Sequence, residues 1–160
     1  MTPFSPKQMK ALCWWLPQSP YADRDAIICD GAVRSGKTLC MFLSFVFWGI
    51  SAFPEGHFAV CGKTVTSLRR NIISPMLPIL KDLGFSCNVV SSRGQIEISR
   101  NRRKITLWMF GGRDESSASL IQGMTLCGVL LDEVALMPRS FVEQAIARCS
   151  VTGSRLWFNC

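Results

Sequence analysis

Gly31-Ala32-Val33-Arg34-Ser35-Gly36-Lys37-Thr38 fits the phosphate-binding loop G-x-x-x-x-G-K-[ST] at every fixed position. Its glycines let the backbone wrap around an anion, Lys37 has the reach for β- and γ-phosphates, and the Thr38 hydroxyl is a magnesium ligand. The stretch predicts a bound nucleoside triphosphate, with Gly31, Ala32, Val33, Arg34, Ser35, Gly36, Lys37 and Thr38 as its contacts. The flanks supply the context such a loop needs. Residues 26–29, Ala-Ile-Ile-Cys, form an apolar run suited to a buried parallel strand that enters the loop through Asp30. From Lys37 onward the sequence reads as helix. Residues 38–53 hold no proline and one glycine, Gly49, so loop amides and the positive end of a helix converge on the phosphates.

A chain of 160 residues with 48% hydrophobic content has ample material for a core and reads as one domain. Residues 39–53 are apolar enough to resemble a membrane span, but they number 15 where a bilayer needs roughly 20. A helix buried beneath a sheet is the better reading. The N-terminus lacks the charged-then-apolar build of a signal peptide, so a cytosolic protein with no membrane partner is expected. The eight cysteines never form a C-x-x-C pair, and the lone His57 completes no zinc set with them. Cys29, Cys61 and Cys127 fall inside expected strands, where a free thiol is a small hydrophobe. Eighteen basic residues against eleven acidic ones leave a formal charge of +7, which suits a polyanionic partner or a solvated basic face. Arg100, Arg102, Arg103 and Lys104 cluster around Asn101 and are the candidate DNA contacts. Lys63, Arg69 and Arg70 form a second basic group.

Along the chain, residues 4–22 read as a short helix with an extended lead into the first strand. Pro54-Glu55-Gly56 marks a turn before a buried strand at 58–61. Residues 65–83 read as helix, broken or kinked by Pro75 and Pro78. Residues 95–99 and 104–109 alternate apolar and polar side chains and suggest a β-hairpin with the basic cluster at its turn. Residues 114–122 form a short helix candidate capped by Asp114 or Ser116 and ended by Gly123. Buried strands follow at 127–131 and 155–158, separated by a helix over 139–149.

The strand at 127–131 runs directly into Asp132 and Glu133. A carboxylate at the tip of a buried strand is costly unless it meets a cation or a hydrogen-bond donor. Next to a phosphate loop this is the Walker B arrangement, with Asp132 helping Thr38 hold Mg2+ and Glu133 deprotonating an attacking water. The second carboxylate points to hydrolysis rather than to phosphoryl transfer onto a small acceptor. Catalytic roles therefore fall to Lys37 and Glu133, with ATP and Mg2+ as cofactors. Asp132 lies 95 positions after Lys37, room for one β-α unit and the hairpin. That spacing implies a strand inserted between the loop strand and the Asp132 strand, the mark of the additional-strand, catalytic-glutamate P-loop NTPases. The expected fold is α/β, a mainly parallel sheet flanked by helices with an inserted β-hairpin.

Taken in order, Ser5-Pro6-Lys7-Gln8, the phosphate loop, Gly62-Lys63-Thr64 with Ser67-Leu68-Arg69-Arg70, Gly111-Gly112-Arg113-Asp114, Gln122-Gly123, the Asp132-Glu133 strand and residues 155–160 resemble the N-terminal ATPase domain of phage terminase large subunits, most similar to the PBSX-like group. The resemblance covers nearly the whole chain. It implies a motor that drives duplex DNA into a procapsid in the host cytoplasm, with portal protein, small terminase subunit and further copies of itself as partners. It also implies that Gln8, within a lead-in over 1–25, reads adenine, that Arg34 contacts the γ-phosphate, and that Arg113 serves a neighbouring subunit as an arginine finger. The family's coupling segment and its C-terminal nuclease domain are absent from residues 1–160, so a partial ATPase domain is expected. Two other readings stay open at this point: a helicase-like or other DNA-remodelling P-loop ATPase, and a nucleotide-binding remnant without coupled turnover.

Overall fold

The computed structural model describes residues 4–31 and 36–160. Strands β1 (Ala26–Cys29), β2 (Glu55–Gly62), β3 (Ser86–Val90), β4 (Gln95–Arg100), β5 (Arg103–Gly111), β6 (Gly128–Asp132) and β7 (Arg155–Asn159) form one sheet in the order β1-β7-β6-β2-β5-β4-β3. From β1 to β5 all neighbours are parallel, while β4 and β3 continue the sheet by antiparallel pairing. The helices are α1 (Pro6–Cys13), α2 (Lys37–Ala52), α3 (Val65–Leu68), α4 (Ser74–Asp82), α5 (Ala118–Ile121) and α6 (Arg139–Arg148).

Both faces of the central strands are covered, which is why those strands read as continuous apolar runs. Successive side chains alternate between faces. Phe58, Val60 and Leu130 join the layer under α2, with Met41, Phe42, Phe45, Val46 and Trp48. Ala59, Cys61, Val129 and Leu131 join the opposite layer, with Ile121, Phe141 and Ala145. Trp157 of β7 fastens the first layer: its ring centroid lies 4.8 Å from Trp48, 5.1 Å from Phe45 and 5.0 Å from Trp14. Each large side chain buried this way contributes about 1.5–3 kcal/mol. α2 is apolar on nearly every side because it is buried on nearly every side, as its sequence implies. The cysteines on the core strands are free thiols, and burial pushes Cys61 well above the ordinary value.

Several expectations change in the folded chain. β1 is parallel but not buried; it forms the sheet edge, and Ile28 is 69% exposed. The sequence pattern of four apolar residues cannot distinguish an edge strand from a central one. β2 begins at Glu55, inside the expected turn. Turns, rather than an extended lead, join α1 to β1. The hairpin is present, with Ser99 opposite Lys104 and positive φ angles of 50° and 63° at Asn101 and Arg102. It is extended by β3, whose Ser-Cys-Asn-Val-Val stretch is too mixed to announce a strand, and its second strand β5 is the parallel partner of β2. The strand that separates the loop strand from the Asp132 strand is β7, which follows both in sequence. The stretch between Lys37 and Asp132 instead supplies β2, β5, β4 and β3 on the far side of the sheet.

The helix at 65–83 is interrupted by a π-helical turn, Arg69–Ile73. The Ser74 N–H donates to the Arg69 carbonyl, five residues back. Pro75 has no N–H for the Asn71 carbonyl, so an α-type bond is impossible there.

A candidate nucleotide site at the strand tips

The parallel strands end together, and their tips carry the polar groups. Gly36 takes a left-handed conformation (φ 75°) just ahead of α2, so Lys37 and Thr38 open the helix at its positive end. The Lys37 ammonium donates to the carbonyls of Gly31 and Cys160, the latter at 2.6 Å, which holds the amine across the mouth of the loop. Asp132 ends β6 and lies opposite Asn159 at the end of β7. The Asn159 amide donates to Asp132 Oδ1 at 2.5 Å and to Thr38 Oγ1 at 3.1 Å. One side chain thereby ties Thr38 to Asp132. Asn159 is 4% exposed, and its buried Oδ1 has no hydrogen-bond partner among the described residues.

Burial raises the Asp132 carboxyl above its ordinary value, and the Asn159 hydrogen bond works against that rise. Glu133 pushes it up further; a Thr38 hydrogen bond and the Lys37 charge pull it down. Glu133 is exposed and has φ 55°, a left-handed conformation that costs a side-chain-bearing residue about 1–2 kcal/mol. Such strain at a cleft is the kind that functional geometry sustains. The 3-10 turn Val134–Leu136 begins immediately, with the Leu136 N–H donating to the Glu133 carbonyl at 2.9 Å.

Gly31, Gly36, Lys37, Thr38, Asn71, Asp132, Glu133 and Asn159 line one cavity of about 450 Å³. An adjoining cavity of about 400 Å³ is lined by Gln8, Ala11, Ile28, Cys29, Gly31, Lys37 and Cys40. Thus the structure brings Lys37, Thr38, Asp132 and Glu133 together and sets Gln8 beside them. Gly36 suits its position through its φ of 75°, and a Cβ built there would lie 2.7 Å from Gln8 Nε2 and displace that amide. Gln8 also closes the N-terminal capping box of α1, accepting from the Ser5 N–H at 2.8 Å. The expectations for Ala32, Val33, Arg34 and Ser35 lie outside the described residues.

Thr38 and Asp132 present a hydroxyl and a carboxylate that meet on the Asn159 amide, and the Asn159 oxygen beside them is an acceptor with no donor among the described residues. This is a hard-oxygen set that fits Mg2+ with water completing the shell.

Arg113 is exposed on the segment after β5, at the same end of the sheet but not lining the cavity. The basic hairpin turn lies at the opposite end, where the parallel strands begin. Arg103 Nη1 donates to the Ile50 and Ser51 carbonyls at 3.1 and 2.9 Å, which ties off the C-terminal turn of α2. Lys104 pairs with Glu97 at 3.7 Å, and Arg100 stacks 5.0 Å over Phe85. Arg102 is exposed at the tip.

Besides Asn71, sequence reasoning missed Asn159. Its signal was present: Leu-Trp-Phe-Asn ends a strand on a polar residue just as Val-Leu-Leu-Asp does. Only the β6–β7 register reveals that the two ends meet.

This combination of a phosphate loop, a separating strand and paired acidic residues defines an additional-strand P-loop NTPase. No protein-family model matches the sequence, and no match was found among curated proteins. Among solved structures, the large terminase of a thermophilic bacteriophage is 50% identical, with TM-score 0.95 over 99% of this chain and 39% of its own. A structure of that phage's large terminase in complex with ATP-gamma-S is 47% identical, with TM-score 0.92 over 99% of this chain and 38% of its own. The large terminase of the HK97 bacteriophage shares the fold at 12% identity and TM-score 0.66, covering 98% of this chain and 33% of its own. The chain belongs to the phage large-terminase family and spans about two-fifths of the length of the relatives it matches at high identity, 39% in the first of them. Among the described residues, no helix is long and apolar enough to cross a membrane.

Proposed function

We propose that this chain is the ATP-hydrolysing part of a large terminase, and that its hydrolysis drives duplex DNA into a procapsid in the host cytoplasm. The single observation that carries this reading is the Thr38–Asn159–Asp132 bridge beside Lys37, with Glu133 on the same cavity. Support comes from the ATP-gamma-S bound by a relative at 47% identity.

In the proposed reaction Lys37 leaves the Gly31 and Cys160 carbonyls for the β- and γ-phosphate oxygens. Gly31 and Gly36 admit the phosphates, and Gln8 faces the adenine in the adjoining cavity. Thr38 and Asp132 would hold Mg2+, which neutralises charge on the phosphates when bound. Glu133 takes the proton of a water whose oxygen attacks the γ-phosphorus; the bond to the β-phosphate breaks and ADP leaves. Arg34 and Arg113 stabilise charge on the transferred group, Arg113 from a neighbouring copy. Portal protein, small terminase subunit and duplex DNA are the partners of the whole protein. The exposed Arg102 is the favoured contact of the hairpin with DNA phosphates; Arg100, Arg103 and Lys104 already have partners within the fold.

The test is magnesium-dependent ATP turnover by the parent, Lys37→Ala and Glu133→Gln proteins. Lys37→Ala loses nucleotide binding. Glu133→Gln keeps binding and loses turnover by roughly 10²–10⁴-fold. Undiminished turnover in Glu133→Gln rejects the base assignment.

A further inference from the structure

We propose that Asn71, oriented by Arg70, reads the γ-phosphate of the bound nucleotide and so distinguishes triphosphate from diphosphate; this rests on the nucleotide reading above. Asn71 shares the cavity of Lys37, Thr38, Asp132 and Glu133 but comes from a different layer, the π turn Arg69–Ile73. Leu68, Ile72 and Ile73, all at most 2% exposed, anchor this turn in the core, so the exposed Asn71 projects from a fixed base. The π turn matters because it holds one more residue than an α turn. Side chains beyond it are rotated by about 100° from where an unbroken helix would put them.

The direction of the amide follows from its partner. Arg70 Nε donates to Asn71 Oδ1 at 3.1 Å. An arginine nitrogen has only donors, so the atom facing it is the oxygen, and the two N–H groups of Asn71 remain for the cavity. Within that cavity the γ-phosphoryl group is the acceptor present in a triphosphate and missing in a diphosphate. A donor that lines the same cavity as Lys37 and Glu133 is therefore placed to contact the part of the ligand that hydrolysis removes.

The experiment measures dissociation constants of ATP-gamma-S and ADP, each with Mg2+, by calorimetry on the parent, Asn71→Ala, Asn71→Asp, Arg70→Ala and Lys37→Ala proteins. Asn71→Ala weakens ATP-gamma-S by roughly 10-fold, one charge-assisted hydrogen bond, and ADP by less than about 2-fold. Asn71→Asp widens that gap because a carboxylate repels the γ-phosphate, and Arg70→Ala gives a smaller loss of the same kind. Equal effects on both nucleotides, or none, overturn the proposal. If the parent binds neither nucleotide and Lys37→Ala behaves like it, the nucleotide reading itself fails and takes this one with it.

Discussion

Replacing Asn159 with Asp puts a second carboxylate where an amide now donates to Asp132 at 2.5 Å. Two charges about 3 Å apart, at an effective dielectric constant near 20, repel by about 5 kcal/mol. The pair has a cheaper course, which is to keep one proton between them. Taking up a proton at pH 7 on a carboxyl with an ordinary value near 4 costs about 4 kcal/mol, at about 1.4 kcal/mol per pH unit. Asn159→Asp should therefore lower stability by about 4 kcal/mol at pH 7. The folded pair then binds a proton that the unfolded chain does not, so its folded-state pKa is raised. The deficit consequently shrinks as pH falls, to about 1–1.5 kcal/mol at pH 5. Urea unfolding of parent and variant at pH 5, 6 and 7 measures this directly. Mg2+ without nucleotide should stabilise the variant more than the parent, because the cation replaces the shared proton. A deficit that is constant between pH 5 and 7 would refute the proximity of residues 132 and 159 on which the site rests.

Asp132→Asn should raise the stability of the metal-free chain at pH 7. Burial lifts this carboxyl above its unfolded value, so its ionised form subtracts stability above the folded pKa and ceases to do so as pH falls below the unfolded one; thermal melts from pH 4 to 7 should show a gain that fades toward pH 4, alongside lost Mg2+-dependent nucleotide binding. Gly128→Ala should cost about 1–3 kcal/mol in denaturant titrations, since its Cβ would lie 2.7 Å from the Trp48 ring and 2.9 Å from the Arg155 carbonyl. Arg103→Ala should cost about 1–2 kcal/mol by freeing two carbonyls at the end of α2, whereas Arg102→Ala should leave stability within about 0.5 kcal/mol. If the hairpin tip meets DNA, Arg102→Ala also weakens duplex binding and lowers the salt slope by about 1.

Much of this is legible in one dimension. The long apolar helix opened by Lys37 and the Asp-Glu at a strand tip are local patterns, and each lands where its pattern implies. Edge position was not legible: Ala-Ile-Ile-Cys and Val-Leu-Leu look alike, yet β1 forms the margin of the sheet while β6 is buried on both faces. Charge clustering did not reveal which of the hairpin's basic side chains already have partners within the fold, for a similar reason. Arg100, Arg103 and Lys104 are consecutive enough to look like a patch, but Phe85, the α2 carbonyls and Glu97 engage them.

By itself the sequence determined which groups are available for the proposed chemistry: Gly31 and Gly36, Lys37 and Thr38, Asp132 and Glu133. Tertiary structure decided which of them meet and what joins them. Thr38 and Asn159 are separated by 121 positions, and Asp132 and Asn159 by 27. A motif window spans a few residues, whereas the meeting of strand tips depends on the register of β7 between β1 and β6 and on the packing of Trp157 beneath α2. The same holds for Asn71, whose place in the cavity depends on a π turn set by core packing and by the missing N–H of Pro75.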